Sequence, residues 1–138
     1  MEKLLYLLLI IPSLRFLINI NHYLYLREVL IKQYQHIDGR ANPNDEKKNK
    51  IGQKAGNWVQ ANQIEIKKRV LNTGIEDQYV SYMEPLGLGQ AMPQHLSSLD
   101  NILIRNNLRI LESSREIITR AKGHYKVHAF LSFSPLFW

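Results

Sequence analysis

An unbroken apolar run near the N-terminus constrains this chain more than any other feature. Residues 4–11 read LLYLLLII, and after a proline a second apolar stretch continues to Ile20 with Arg15 inside it. A helix of about 20 residues is needed to cross a hydrocarbon core of about 30 Å. The run therefore predicts a transmembrane helix from Leu4 to Ile20, with a continuation to Leu26 left open.

Two other interpretations of this segment remain open. Lys3 and the apolar run after it have the layout of a cleaved signal peptide, although no A-x-A site follows and the best cleavage position is after Ser13. Arg15, Asn19 and His22 recur at helical spacing, which would give one polar stripe on a buried or interfacial helix. The missing cleavage motif favours a segment that stays in the mature protein.

Basic residues are distributed unevenly on the two sides of the apolar segment. Lys3 alone precedes it, whereas six lysines and arginines follow in the next thirty or so residues. These are Arg27, Lys32, Arg40, Lys47, Lys48 and Lys50. Because lysine and arginine accumulate on the cytoplasmic side of membrane helices, we predict a membrane protein whose main part lies on that side.

The composition excludes some kinds of chemistry and leaves several kinds of partner. The 138 residues contain no cysteine, which excludes disulfides, thiolate metal sites and cysteine nucleophiles. The net charge of +6 suits anionic lipid headgroups or nucleic acid, and it also fits an ordinary solvated surface. Aromatic residues cluster at the two ends, away from most basic residues, which favours membrane lipid over nucleic acid as the partner. A protein partner or a homo-oligomer stays open.

Apolar periodicity predicts further helices after the segment. Residues 21–35 continue as a helix, and residues 36–50 contain turn chemistry. A second helix is expected over residues 45–72, because apolar side chains recur at steps of three and four and Gly74 closes the pattern. The basic residues near its end suit the negative end of the helix dipole.

The second half of the chain is predicted to be helical as well. Residues 76–84 indicate a short helix, and residues 85–93, with two glycines and two prolines, indicate an irregular stretch. A long third helix is expected to start at Ser97 or the next residue and to reach Ala121. Ser97 and Asp100 have the spacing of a capping box for that helix.

These patterns predict an all-α fold, in which the N-terminal apolar helix is followed by a small helical hairpin or a three-helix bundle. The predicted parts are a membrane anchor (1–26), a helical domain (27–128) and an apolar aromatic tail (129–138). The large apolar residues of that tail are Phe130, Phe133, Leu136, Phe137 and Trp138. They would pack on the core, lie at the membrane interface, or begin a second membrane segment.

Two residue patterns could carry chemistry, and neither is convincing. His124 and His128 have a spacing that zinc ligands use on one helix face, but no third ligand follows nearby, so we expect packing residues. Gly87 and Gly89 form a G-x-G without the third glycine of a dinucleotide-binding turn. We therefore assign no catalytic, cofactor-binding or metal-binding residue and expect no cofactor.

The sequence as a whole favours a non-enzymatic, membrane-associated helical protein that acts as a structural or interaction module. An exported soluble helical protein, released from a signal peptide, is the first alternative. A basic, helical nucleic-acid-binding protein is the second.

Overall fold

The longest element is α1, which spans Glu2–Ala41 as one continuous helix. A computed structural model describes residues 1–104 and 107–134 of the chain. At 1.5 Å per residue, α1 is about 60 Å long. Most of its first half is exposed, whereas Leu26, Val29 and Gln33 in its second half are fully buried. The prediction of a long apolar helix at the N-terminus is confirmed.

The turn after α1 is shorter than the sequence predicts. The helix continues through residues 36–41, so the prediction of a turn there is wrong, and only residues 42–45 connect α1 to the next helix. Asn42 ends α1, and its side-chain amide donates to the carbonyl oxygen of Asp38 at 2.9 Å. Asp45 then caps α2 (Glu46–Ala61) by accepting the Lys48 N–H at 3.1 Å.

Glycines allow α1 and α2 to approach closely. A Cβ on Gly39 would lie 2.6 Å from the carbonyl oxygen of Lys48 and 3.0 Å from the Cα of Gly52. A Cβ on Gly56 would lie 2.5 Å from Nδ1 of His36, so the imidazole ring occupies the space that a side chain there would need. A larger residue at Gly39 must therefore push the backbones of the two helices apart, and one at Gly56 must displace the ring of His36.

A short helix, α3 (Gln63–Leu71), follows α2 after a break at Asn62. The prediction of one helix over 45–72 is therefore only partly right. The side-chain amide of Asn62 donates to the carbonyl oxygen of Trp58 at 2.8 Å. Its side-chain oxygen accepts the hydroxyl of Tyr25 at 3.2 Å, which ties the break to α1.

The all-α prediction is wrong, because residues 79–97 form a two-stranded antiparallel sheet. β1 (Tyr79–Gly87) pairs with β2 (Gln90–Ser97), from Tyr79 opposite Ser97 to Gly87 opposite Gln90, with an irregularity between Pro85 and Gly87. This replaces both the short helix predicted over 76–84 and the irregular stretch predicted over 85–93.

The residues at the centre of this hairpin favour a chain reversal. Pro85 and Pro93 prevent a helix from continuing through residues 85–93. Gly87, Leu88 and Gly89 all have positive φ, at 88°, 52° and 74°, and this reverses the chain within two residues. The backbone hydrogen bonds are then satisfied across the strands rather than along the chain.

The last helix, α4 (Leu108–Leu131), begins later and ends later than the sequence predicts. Ser97 Oγ accepts the Asp100 N–H at 3.1 Å, as in the predicted capping box, but it caps the turns that follow β2. The helix itself is capped by Asn107, whose side chain accepts the N–H of Ile110 at 3.3 Å. It then runs through Gly123 without interruption.

One apolar core joins the four helices. α1 contacts both α2 and α4 extensively, and α3 also contacts α4. The buried cluster consists of Leu26, Val29, Val59, Ile66, Val70, Leu99, Ile102, Ile117, Ile118, Ala121 and Tyr125. The hairpin contributes little to this core, since most of its side chains are exposed.

We predict opposite effects of alanine at two helical glycines. Gly39→Ala should lower the free energy of unfolding by roughly 1–3 kcal/mol, because its Cβ would meet the backbone of α2. Gly123→Ala is the control, since nothing lies within 4 Å of its added Cβ. It should raise that free energy by roughly 0.5–1 kcal/mol through helix propensity. Chemical denaturation of the full chain in mild detergent measures both, and equal effects would contradict the close helix crossing.

Candidate membrane-anchoring site

Exposed leucine and isoleucine side chains surround α1 from Leu4 to Ile18. By length and composition, α1 is the one helix in residues 1–104 and 107–134 that could cross a membrane, and 6 % of its most apolar 18-residue stretch is buried. Signal sequences share this length and composition, whereas the core helix of a soluble protein is mostly buried. The predicted span Leu4–Ile20 is about 25 Å long, near the short end of what a bilayer requires.

The C-terminal part of α4 lies against this segment. α4 runs antiparallel to α1: Tyr125 stacks on His22 with 4.5 Å between ring centroids, and Phe133 lies 5.9 Å from Phe16. The beginning of the aromatic tail therefore packs beside the predicted span. The other tail residues singled out in the sequence lie outside the described residues, namely Leu136, Phe137 and Trp138.

The predicted polar stripe of α1 faces α4. Arg15 and Asn19 line a cleft of about 220 Å³ together with His128, Leu131 and Ser132. The Asn19 side-chain amide donates to the Arg15 carbonyl oxygen at 2.9 Å, and the Ser132 hydroxyl donates to the His128 carbonyl oxygen at 2.8 Å. Two polar residues of the predicted span, Arg15 and Asn19, thus line a cleft between two helices.

Arg69 connects α3 to α1 where the apolar segment ends. Its Nε donates to Glu65 at 2.8 Å, and its Nη1 donates to the side-chain oxygen of Asn21 at 3.1 Å and to Nδ1 of His22 at 3.3 Å. The guanidinium carbon lies 3.9 Å from the centre of the Tyr25 ring. Because a guanidinium only donates, Nδ1 of His22 must accept, and this requires a neutral imidazole.

The same junction extends to α4 and shifts several pKa values. The Tyr125 hydroxyl donates to the Arg69 carbonyl oxygen at 2.6 Å, and burial raises the pKa of Tyr125. Burial, followed by the charge of Arg69, lowers the pKa of His22. The hydrogen bond from Arg69 lowers the pKa of Glu65. This junction could not be predicted from local sequence patterns, because the partners of Arg69 in α1 and α4 lie more than forty residues away along the chain.

His124 and His128 share one face of α4, as their spacing predicts, with ring centroids 4.1 Å apart. Burial, followed by the charge of His128, lowers the pKa of His124. No group of three histidine, cysteine, aspartate or glutamate side chains that could hold a metal occurs among residues 1–104 and 107–134.

A second cleft lies at the glycine crossing of α1 and α2. It has a volume of about 180 Å³ and contains the buried His36 beside Arg40. The Nδ1 of His36 lies 3.1 Å from the carbonyl oxygen of Gly52, which can only accept, so Nδ1 carries the proton. The other polar lining residues are Asn49, Gln53, Asn57 and Gln60. This cleft is open and contains one imidazole, next to amide side chains and an arginine. Acid–base catalysis needs a proton donor and a proton acceptor together in a site that excludes water, and the cleft does not show that arrangement.

The hairpin forms a further exposed feature that the sequence analysis missed. Four large apolar side chains of the hairpin are about half exposed or more, and Leu88 at the tip is fully exposed. The other three are Met83, Leu86 and Met92. Residues 79–97 contain no lysine or arginine. Three residues with high strand propensity at the start of β1, Tyr79, Val80 and Tyr82, followed by two glycines around one leucine, are the signals that could have revealed it.

Comparison of the sequence and the structure with known proteins gives no match to any protein family, curated protein or solved structure. The geometry of the molecule therefore carries the functional argument.

We predict that the protein loses stability as the pH falls below about 6.5. The pKa values of His22 and His124 are lowered in the folded protein, so the unfolded chain binds protons more readily. Their stabilising effect is complete above the unfolded value of about 6.5 and is lost as the pH falls through the folded values.

Thermal denaturation in mild detergent between about pH 7.5 and 5.5 tests this dependence. The double variant His22→Gln/His124→Gln should show a smaller decrease in melting temperature over that interval, because neither amide takes up a proton. A glutamine at position 22 can still accept the hydrogen bond from Arg69. Identical slopes for the two proteins would contradict the prediction.

Proposed function

We propose that this protein is a non-enzymatic, membrane-anchored interaction module. The apolar first half of α1 enters the bilayer, and the second half of the same helix forms part of the core of the main domain. The observation that carries the proposal is the exposure of the leucines and isoleucines from Leu4 to Ile18 on a helix that continues directly into that core. In water this surface would be an extended apolar patch, which soluble monomers avoid.

The packing of α4 supports an anchor that stays attached to the domain. Phe16, Asn19 and His22 contact or face α4, so the end of the predicted span is part of the folded structure. A signal peptide has no such packing role in the mature protein. Arg15, the charged residue of the span, lines a polar cleft together with residues at the end of α4, and charged residues in membrane helices typically face such protein surfaces.

The hairpin supports the interaction part of the proposal. Its two strands have no further strand beside them in the described structure, and the sheet has just two strands. An isolated two-stranded sheet is marginally stable in water. Exposed apolar side chains at Met83 and Leu88, in a hairpin whose residues 79–97 include no lysine or arginine, suit a protein surface better than a nucleic-acid backbone.

Carbonate extraction of membranes from cells that express the full chain tests the anchor. The protein should stay in the membrane pellet. Leu9→Asp places a carboxylate near the middle of the span and costs roughly 2.5–3.5 kcal/mol of insertion, about a hundredfold in partition. A large fraction of this variant should be released.

Leu108→Asp is the matched control for this experiment. Leu9 is 62 % exposed and Leu108, at the start of α4, is 65 % exposed, so the two substitutions change equally exposed leucines. Leu108→Asp should remain in the pellet. Release of the unmodified protein by carbonate, or an intact mass short of about thirteen N-terminal residues, would contradict the anchor and favour the exported soluble alternative.

The orientation follows from the excess of basic residues after the span, and we predict that the main domain lies in the cytoplasm. The chain has no cysteine, so single cysteines can report each side without further changes. In intact cells, a membrane-impermeant maleimide should label Glu2→Cys and spare Lys47→Cys until the cells are lysed. Labelling in the opposite order would contradict the predicted orientation.

A further inference from the structure

Three lysines lie at the level where the apolar segment of α1 ends. The alignment of α4 with α1 fixes that level: Ser114 hydrogen-bonds to Gln33, and Tyr125 stacks on His22 nearer the apolar end. Lys122 lies on α4 with its Nζ 5.9 Å from the ring centre of Tyr23. Of the other two lysines, one lies on α4 as well and one lies on α3.

Lys126 and Lys68 complete this set, which we call the lysine collar (Lys68, Lys122 and Lys126). Lys126 follows Lys122 by one helical turn and is exposed. Lys68 is exposed on α3 next to Arg69, whose guanidinium contacts Asn21. Two different elements, α3 and α4, therefore bring collar residues to about the level of Asn21 and Tyr23 on α1.

The charges of the collar are available for an external partner. No salt bridge within 4.0 Å is formed by Lys68, Lys122 or Lys126 in the part of the chain that the structure describes. Glu65 is bound by Arg69 at 2.8 Å, and the nearby charge of Lys68 makes a smaller contribution to lowering the pKa of Glu65. Lys67 differs from its neighbour, because it pairs with Asp100 at 2.9 Å.

We propose that the lysine collar binds the phosphate headgroups of anionic phospholipids. This inference rests on the proposed membrane anchor, since an inserted span would bring the headgroup layer to the level of residues 20–25. Phosphate oxygens accept hydrogen bonds from ammonium groups, and lysines close to an anionic surface each strengthen attraction several-fold. The collar adds selectivity for lipid charge to an anchor that is otherwise apolar.

The geometry favours a lipid surface over nucleic acid or free phosphate. Apolar side chains are exposed at about the same level, namely Leu24 on α1 and Val127 and Phe130 towards the end of α4. A headgroup layer lies directly above hydrocarbon and matches this arrangement of charge next to apolar surface. A nucleic acid presents a phosphate backbone with no apolar layer beneath it.

The test uses the full chain in lipid vesicles that contain small amounts of spin-labelled lipid. The fraction of motionally restricted label gives the association of phosphatidylglycerol relative to phosphatidylcholine at the protein surface. The unmodified protein should prefer phosphatidylglycerol several-fold. Lys68→Gln/Lys122→Gln/Lys126→Gln should reduce this preference to about one, and the triple arginine variant should keep it.

A second triple variant removes the same charge elsewhere. Lys47, Lys50 and Lys54 are exposed on α2 and form no salt bridge in the described structure. α2 crosses α1 near His36 and Gly39, roughly 25 Å beyond Ile20, more than two Debye lengths at physiological salt. Lys47→Gln/Lys50→Gln/Lys54→Gln should keep the lipid preference. Equal loss in both triple variants would overturn the collar and indicate a general charge effect.

Two further outcomes separate the collar from the anchor. If the protein floats with neutral phosphatidylcholine vesicles but shows no preference for phosphatidylglycerol, the collar is wrong and the anchor stands. If it fails to float with neutral vesicles, the anchor itself is wrong.

Because Lys122 contacts Tyr23, the pair Lys68→Gln/Lys126→Gln serves as a milder variant and should lose part of the preference. Salt-sensitive DNA binding by the detergent-solubilised protein, lost in the collar variant, would reassign these lysines to nucleic acid.

Discussion

The continuity of α1 is the constraint on which the rest of the structure depends. One helix carries both the exposed apolar segment and three of the fully buried core residues, Leu26, Val29 and Gln33. A helix is stiff over such a length, so the position of the core relative to the apolar segment is fixed by the helix itself. The other helices adapt to it: α2 returns along its far end, and α4 runs back towards its apolar end.

The two ends of the buried part of α1 are joined to their neighbours by different interactions. At the far end, Gly39 and Gly52 allow backbone contact, and close packing of this kind tolerates no additional methyl group. At the near end, the side chain of Arg69 on α3 donates a hydrogen bond to Asn21 on α1. The carbonyl oxygen of Arg69 accepts a hydrogen bond from Tyr125 on α4. Between them, Gln33 donates to the Ile102 carbonyl oxygen at 2.7 Å and to Ser114 at 3.0 Å inside the core.

The parts of this fold that the sequence predicted are those with a local cause. The apolar run produces a helix by itself, and the periodic segments at 51–70 and 108–121 are helical because one face of each is apolar. The missed features depend on distant partners. Asn62 breaks a helix that its neighbours would continue, and its side-chain oxygen is bound by Tyr25, 37 residues earlier. The hairpin depends on pairing between residues up to 18 positions apart, such as Tyr79 and Ser97.

In the candidate site, too, the features with a local cause could be predicted and those that depend on distant residues could not. The apolar residues of the anchor could be read from the sequence, because their number and order are sufficient evidence of a long apolar helix. The level of the lysine collar could not, since it depends on how α3 and α4 are aligned with α1. Lys67 and Lys68 illustrate the point: the sequence gives them the same character, but one pairs with Asp100 and the other faces outwards.

Arg15 is the residue on which an apolar anchor would be expected to fail. It lies about 8 Å inside the end of the span at Ile20, where an arginine on a single helix would disturb insertion. The end of α4 changes its surroundings, because Asn19, His128 and Ser132 line a polar cleft together with it. In the proposed membrane arrangement, the half of the bilayer nearer the domain would then meet two helices, and the farther half would meet α1 alone. The part of α1 that would meet lipid alone, from Leu4 to Leu14, contains no charged residue. The proposed arrangement requires this absence of charge, because no second helix would shield a charged side chain there.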